Sequence, residues 1–267
     1  MGCKVMNIGT NDLAAGVEFV SQLQNMAEFP FISANIMAAG ETTLMFPPSA
    51  IVKTHDRTLG FVGVTVGDKR LKEFDFDDPI KSAKAAVAEL KDKVDLIFLM
   101  ANVDEKTEKM LTQEVDGVHF LLRSKTGSMQ RNPKEQNGTV VIKIGKQGKY
   151  AAALKIRNVE ESSKMTNVSA QYSRIKFTQN RLDALAKDLK SGETLEEHYA
   201  GDEKRLQLIS RLRAEQDQNK LTITQLRNTY YLEATPLNDK IEDTPEVALI
   251  VEDYMPKVKE EETASKH

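Results

Sequence analysis

The 267-residue chain has no tryptophan, one cysteine and four histidines. A single thiol excludes an internal disulfide, so cysteine use leaves the compartment open. Cys3 has no second thiol or histidine beside it, which argues against a catalytic role. No Cys-x-x-Cys-His occurs, so no haem is expected. His55, His119, His198 and His267 fit no zinc-ligand spacing. His119 lies in a strand-like run and reads as a satisfied sheet residue, His55 as a turn residue and His198 as part of a polar helix surface. No apolar run reaches the roughly 18 residues of a membrane-spanning helix. Met1-Gly2-Cys3-Lys4 shows no signal-peptide pattern, and Met6 breaks the myristoylation pattern. With 37 basic against 40 acidic residues the net charge is -3, and no nucleic-acid partner is expected.

What is present suggests one or two domains with a sizeable core. Residues 1–157 alternate strand-like and helix-like segments. Val5 to Ile8 reads as a short strand ending at Gly9, and Leu13 to Met26 as a helix with Val17, Val20 and Leu23 on one stripe. Phe31 to Ile36 reads as a strand, and Ala50 to Lys53 with Leu59 to Val64 as a hairpin across His55-Asp56-Arg57. Asp78-Pro79 opens a helix through Lys91 with Ile80, Ala83, Val87 and Leu90 inward. Asp95 to Met100 is a buried strand, Glu105 to Glu114 a helix and Val118 to Leu122 a strand. Gly138 to Ile144 and Tyr150 to Ile156 read as a second hairpin around Gly145 and Gly148. The order predicts a layered α/β domain with parallel and antiparallel pairs.

Residues 158–235 differ in kind. Tyr172, Ile175, Leu182, Leu185 and Leu189 follow a helical stripe that stops at Ser191-Gly192. Thr194-Leu195-Glu196-Glu197 is a capping box, and Gly201-Asp202 recaps the chain before Leu206, Ile209 and Leu212. The pattern predicts an antiparallel helical hairpin. Residues 236–267 form a C-terminal segment, with a small helix over Glu246 to Tyr254 and a disordered tail over Pro256 to His267.

Several phrases, taken in order, resemble the catalytic domain of calcineurin-like metallophosphoesterases of the 5′-nucleotidase type. Val5 to Asp12 stands where that family has a strand ending in Gly-Asn-His-Asp/Glu. Phe29-Pro30-Phe31-Ile32-Ser33-Ala34-Asn35-Ile36 is similar to "FPxLSANI", and Leu59 to Thr65 to "IGxxGLT". Asp78-Pro79-Ile80-Lys81-Ser82-Ala83 matches the next helix start, and Val94 to Leu99 the next strand. Leu237 to Tyr254 is similar to a segment that follows this domain in some bacterial relatives, including ones fused to multihaem cytochromes. The resemblance implies a metallophosphoesterase-like β-sandwich flanked by helices, followed here by the helical hairpin, and a domain truncated at its N-terminus relative to the family.

The family's chemistry uses two divalent metals that clamp phosphate oxygens and generate a hydroxide nucleophile. The resemblance places Thr10 at a metal-bridging Asn position and Asn11 at the position of the proton-donating His, followed by Asp12. An amide cannot supply that proton near neutral pH. Ala101-Asn102 stands for Ser-His, and Arg123-Ser124-Lys125-Thr126-Gly127 for Gly-Gly-His-Thr-His, which puts a cation at Lys125 and no ligand at Gly127. Thr10, Asn11, Asp12, Asn102, Lys125 and Gly127 therefore read as degenerate motif positions, with no metal or other cofactor and no catalytic residue expected. Arg123 and Lys125 remain candidates for an anion, and Asp12 with Asn11 for one weakly held cation.

The expected function is that of a catalytically inactive 5′-nucleotidase-like protein with a binding, scaffolding or assembly role. Its partners would be proteins, or copies of itself, met through the helical hairpin. Two alternatives stay open: a residual metal-dependent phosphohydrolase completed by a partner chain, and a phosphate or nucleotide binder without turnover. The resemblance implies a periplasmic or extracellular location.

Overall fold

The computed structural model describes residues 2–253 except 131, 147, 158, 161–163 and 239. His267, the tail and the last residue of the small C-terminal helix lie outside the described residues.

The chain opens with β1 (Met6–Asn7), α1 (Gly16–Met26), β2 (Phe31–Ile32) and β3 (Ile36–Ala38). The run Phe31 to Ile36, expected as one strand, is split: β2 pairs in parallel with β1, while β3 belongs to a different ribbon. The hairpin across His55 forms as expected, from β4 (Ser49–Lys53) and β5 (Thr58–Thr65) in antiparallel register. β6 (Phe74–Phe76) pairs with β3. Asp78 then caps α2 (Pro79–Leu90), its carboxylate accepting from the Ile80 and Lys81 N–H groups, with Pro79 in the first turn where a missing donor costs nothing.

Next come β7 (Leu96–Asn102), α3 (Glu105–Glu114), β8 (Phe120–Arg123), β9 (Lys134–Gln136) and β10 (Thr139–Lys143). The six strands lie in the order β4-β5-β7-β8-β10-β9, with β5, β7, β8 and β10 parallel. β11 (Tyr150–Arg157) does not form a hairpin with β10. It belongs to a separate three-stranded sheet with β12 (Thr166–Asn167) and β13 (Thr229–Pro236). The physical reason is that β10 already has partners on both sides, β8 and β9, so the Gly145–Gly148 turn sends the chain to another layer.

Side-chain alternation sorts the core. Ile97, Leu99 and Ala101 of β7 face α2 and α3, packing with Ala83, Val87, Leu90 and Leu111. Leu96 and Phe98 face the three-stranded sheet, packing with Phe120, Ile142 and Tyr230. A strand covered on both faces reads as an unbroken apolar run, which is why Leu96 to Ala101 shows no period of two. Burial pushes the Tyr230 phenol up to about 12. Another cluster joins Ile8, Leu13, Val20, Phe31, Ile36, Phe46 and Phe74 around α1.

Between β12 and β13 stands the helical hairpin: α4 (Ser169–Leu185), α5 (Leu195–His198) and α6 (Glu203–Gln225). Leu182, Leu195, Tyr199, Ile209 and Leu212 give its tip a core of its own. The capping box is present in full, with Thr194 Oγ1 accepting from the Glu197 N–H while Glu197 accepts from the Thr194 N–H. Thr194→Ala should cost about 1 kcal/mol. Hydrogen exchange at the tip should report it as faster opening of α5, and unchanged protection would show that Leu195 and Tyr199 hold the turn without the cap. Among the described residues no helix is long and apolar enough to cross a membrane.

Candidate functional site

β1, β5, β7 and β8 all end on one side of the molecule, at Asn7, Thr65, Asn102 and Arg123. Thr65 and Asn102 are register partners, and the Thr65 hydroxyl donates to the Ile8 carbonyl, which ties the turn after β1 to the end of β5. In that turn the Gly9 N–H donates to Asp12 Oδ2 at 2.8 Å, and the Asp12 N–H returns to the Gly9 carbonyl at 3.1 Å. A Cβ at position 9 would stand 2.8 Å from Asn102 Nδ2, so a larger residue there would displace the Asn102 amide.

Asn102 Nδ2 donates to Ser124 Oγ at 2.8 Å, and the Ser124 N–H donates to the Ala101 carbonyl at 2.9 Å. Asp12, Gly9, Asn102 and Ser124 therefore form one connected group across three strand ends. Asn102 Oδ1 is buried there with no hydrogen-bond partner among the described residues. Thr10 is buried beside this group in sequence, and Asn11 is exposed.

The remaining motif positions lie apart. Lys125 is exposed with φ +57°. Its charge acts through space on Asp68, whose carboxyl is held well below its ordinary value first by the Arg70 side chain and Arg70 N–H and, to a smaller extent, by Lys125. Gly127 is exposed, with open space where a Cβ would be. Arg123 turns inward: Nη1 donates to Glu108 Oε2 at 2.6 Å and Nε to the Val103 carbonyl at 3.1 Å. Lys143 reaches the other oxygen, Glu108 Oε1, at 2.9 Å. A guanidinium so engaged is not presented to an external anion, which leaves Lys125 as the cation of the pair open to solvent.

Glu108 is only 1% exposed. Burial pushes its carboxyl up, but the combined hydrogen bonds and charges of Lys143 and Arg123 outweigh that, so it titrates below its ordinary value. Residue-by-residue reading missed Glu108, although a signal existed. Glu108, Leu111, Thr112 and Val115 share the i, i+3, i+4, i+7 spacing of one helix face, and a carboxylate on such a face demands a buried cation. Ser124 was likewise missed as the partner of Asn102.

Two divalent ions sharing a phosphate need several carboxylate or imidazole donors. Among the motif positions described at this end of the sheet the one carboxylate is Asp12, already accepting from Gly9, while nearby Asp68 is engaged by Arg70 and Asp104 caps α3. Among the described residues no three of His, Cys, Asp and Glu are grouped to hold a metal. The residues present do not fit a two-metal centre. His119 lies at the opposite end of β7 and β8, where Nδ1 accepts from the Ile97 N–H and burial lowers its pKa. His198 pairs with Glu193 on the arm, and His55 sits in the β4–β5 turn.

No family model matches the chain. Its sequence is similar to a 5′-nucleotidase of Vibrio parahaemolyticus, 24% identical over 233 residues, covering 68% of this chain and 41% of that protein. Among solved structures, the calcineurin-like phosphoesterase YfkN of Bacillus subtilis superposes with a TM-score of 0.51 at 16% identity, over 57% of each chain. The fold is that of the calcineurin-like phosphoesterases. The NAD nucleotidase NadN of Haemophilus influenzae also superposes, with a TM-score of 0.52 and 15% identity over 81% of this chain and 51% of that one. The chain thus spans less than half the length of the Vibrio relative.

Proposed function

We propose that this chain is a phosphoesterase-fold protein that has given up phosphoester hydrolysis and serves in binding or assembly. The observation that carries the reading is the residue set at the strand ends. Asp12 is turned onto the Gly9 N–H, Asn102 onto Ser124, and position 125, where the family resemblance implies a ligand, is a lysine. The Asn102 amide cannot donate a proton to a leaving alkoxide near neutral pH, and Lys125 stands on the exposed loop after β8. The apolar layers remain intact around this site, as expected where the fold is retained for its surfaces.

Metal analysis of the purified chain, beside hydrolysis of nucleotides and aryl phosphates with added manganese, tests the reading. The expected result is no stoichiometric metal and no turnover above the blank. Bound metal with turnover that a chelator abolishes would overturn it, as would turnover that appears only when a partner chain is added.

A second reading, a binder without turnover, is favoured by one feature, the unpartnered buried Asn102 Oδ1 beside Ser124 and Asp12. It calls for a ligand with a hydrogen-bond donor at that point. Nucleosides and nucleotides should then raise the melting temperature in the wild type and not in Asn102→Leu.

A further inference from the structure

Two surfaces of this chain are apolar, exposed and opposite in charge. The first is a shallow groove of about 540 Å³ on the helical hairpin, lined by Ala170, Gln171, Ser173, Arg174, Phe177 and Asn219. Phe177 is 50% exposed, and the Arg174 and Arg181 guanidiniums lie 5.9 and 5.7 Å from its ring centre. Arg174 is already paired with Glu215, whereas α4 also carries Lys176 and Arg181 against a single acid, Asp183. Gln171 Oε1 is buried at this groove with no partner among the described residues, an acceptor waiting for a donor.

The second surface is the helical stretch 245–253 after β13. Thr244 accepts from the Val247 and Ala248 N–H groups, which sets the start of the helix, and Pro245 suits its first position. Val247, Ile250 and Val251 share one face with Leu249 beside them, and all four are exposed, Leu249 at 67% and Ile250 at 60%. Residues 237–253 hold six acidic side chains against Lys240 alone.

An exposed apolar helix framed by acids matches an exposed aromatic groove framed by bases. Within one chain the two surfaces are exposed at the same time and do not cover each other. We propose that the 245–253 helix of one copy docks on the Phe177 groove of a second copy, and reciprocally, so that a twofold dimer buries both surfaces twice. This names a partner for the assembly role proposed above and rests on that reading. An isologous contact of this kind is closed, since the helix of each copy fills the groove of the other. Ile250 and Val251 would lie against Phe177, and Glu246 and Glu252 would meet Lys176 and Arg181.

Light scattering after size exclusion, on the full chain over a wide concentration range, tests this. The expected wild-type species is a dimer that weakens as salt rises. Phe177→Glu and Ile250→Glu should each give folded monomers with unchanged circular dichroism, because both positions are exposed. Arg181→Glu should weaken the dimer about tenfold, and adding Glu252→Lys in the same chain should restore it, which a merely structural role for either residue would not do. A monomeric wild type overturns the proposal. So does a dimer indifferent to Phe177→Glu and Ile250→Glu, or a monomer in which Ile250→Glu alters protection around Phe177, the sign of docking within one chain. Turnover is read separately: an active dimer would refute the non-enzymatic reading alone, and an inactive monomer the dimer alone.

Discussion

Replacing Glu108 with alanine should lower the unfolding free energy by about 3–5 kcal/mol, the cost of leaving buried charge without its counter-charge. Glu108 is 1% exposed at its side chain, Arg123 10% and Lys143 21%, so the carboxylate is enclosed, Arg123 nearly so, and Lys143 keeps some access to water. Gln136 also donates to Glu108, so a neutral glutamine at 108 would keep the shape and lose the charge. Glu108→Gln should therefore cost less than alanine but remain destabilising. The companion variant is the triple replacement of Glu108, Arg123 and Lys143 by leucine or methionine, which should recover much of the loss. Urea denaturation of the set is the measurement. A change under about 1 kcal/mol in Glu108→Ala would mean that the cations relax to solvent and that the network is ornamental.

The same network sets an acid limit. The folded-state pKa of Glu108 lies below its ordinary 4.5, so its contribution to stability is complete above that value. It fades as pH falls through the lower, folded pKa, because the unfolded chain then binds the proton more readily. Asp95, held down by the Thr58 N–H and hydroxyl, and Asp104, held down chiefly by the Thr107 N–H, act in the same direction. The wild type should lose stability below about pH 4.5, and Glu108→Gln should show a shallower decline.

Asn35→Ala is the second large effect, on the order of 3 kcal/mol. Asn35 is fully buried, and its side chain makes three bonds to main chain. Nδ2 donates to the Thr65 carbonyl at 2.7 Å and the Asp77 carbonyl at 3.0 Å, while Oδ1 accepts from the Thr65 N–H at 2.9 Å. Alanine leaves those three groups buried and unmet, at about 1–3 kcal/mol for each that water cannot reach. The Thr65 amide should lose hydrogen-exchange protection before its neighbours in β5. Retention of that protection, or a loss below about 1 kcal/mol, would show that water fills the gap.

Asn35 also shows how sequence and structure divide the information. The phrase Ser33-Ala34-Asn35-Ile36 could be matched to a family, but its spacing reads as a continuous strand. In the folded chain it is where β2 ends and β3 starts in another ribbon, with the amide replacing the strand partners that the turn lacks. Local chemistry was legible wherever the partner is local. Asp78-Pro79 starts α2, Thr194 and Glu197 cap α5, and the β4–β5 turn closes around Arg57, whose carbonyl accepts from the Thr54 N–H. Pairing over long separation was not legible. Tyr150 to Arg157 alternates as any half-buried strand does, and nothing in it names Thr229 to Pro236 as its partner. Gly138 to Ile144 and Tyr150 to Ile156 accordingly read as a hairpin. At the candidate site, the family resemblance points to Thr10 to Asp12, Asn102 and Lys125 as motif positions. It could not tell that Arg123 would point away toward Glu108, because a charged helix residue is by default a solvated one.

The arm has a consequence for how this protein can change over time. Thr166 and Asn167 lie in register with Thr229 and Tyr230, so the chain departs from the body and rejoins it at one rung of a ladder. Everything between those rungs is, for the body, a single long excursion whose ends are already held together. Lengthening, shortening or exchanging such an excursion adds little closure entropy and disturbs no strand of the main sheet. The hairpin is thus a replaceable cassette, free to acquire new contacts by insertion or recombination while the layers beneath it keep their register.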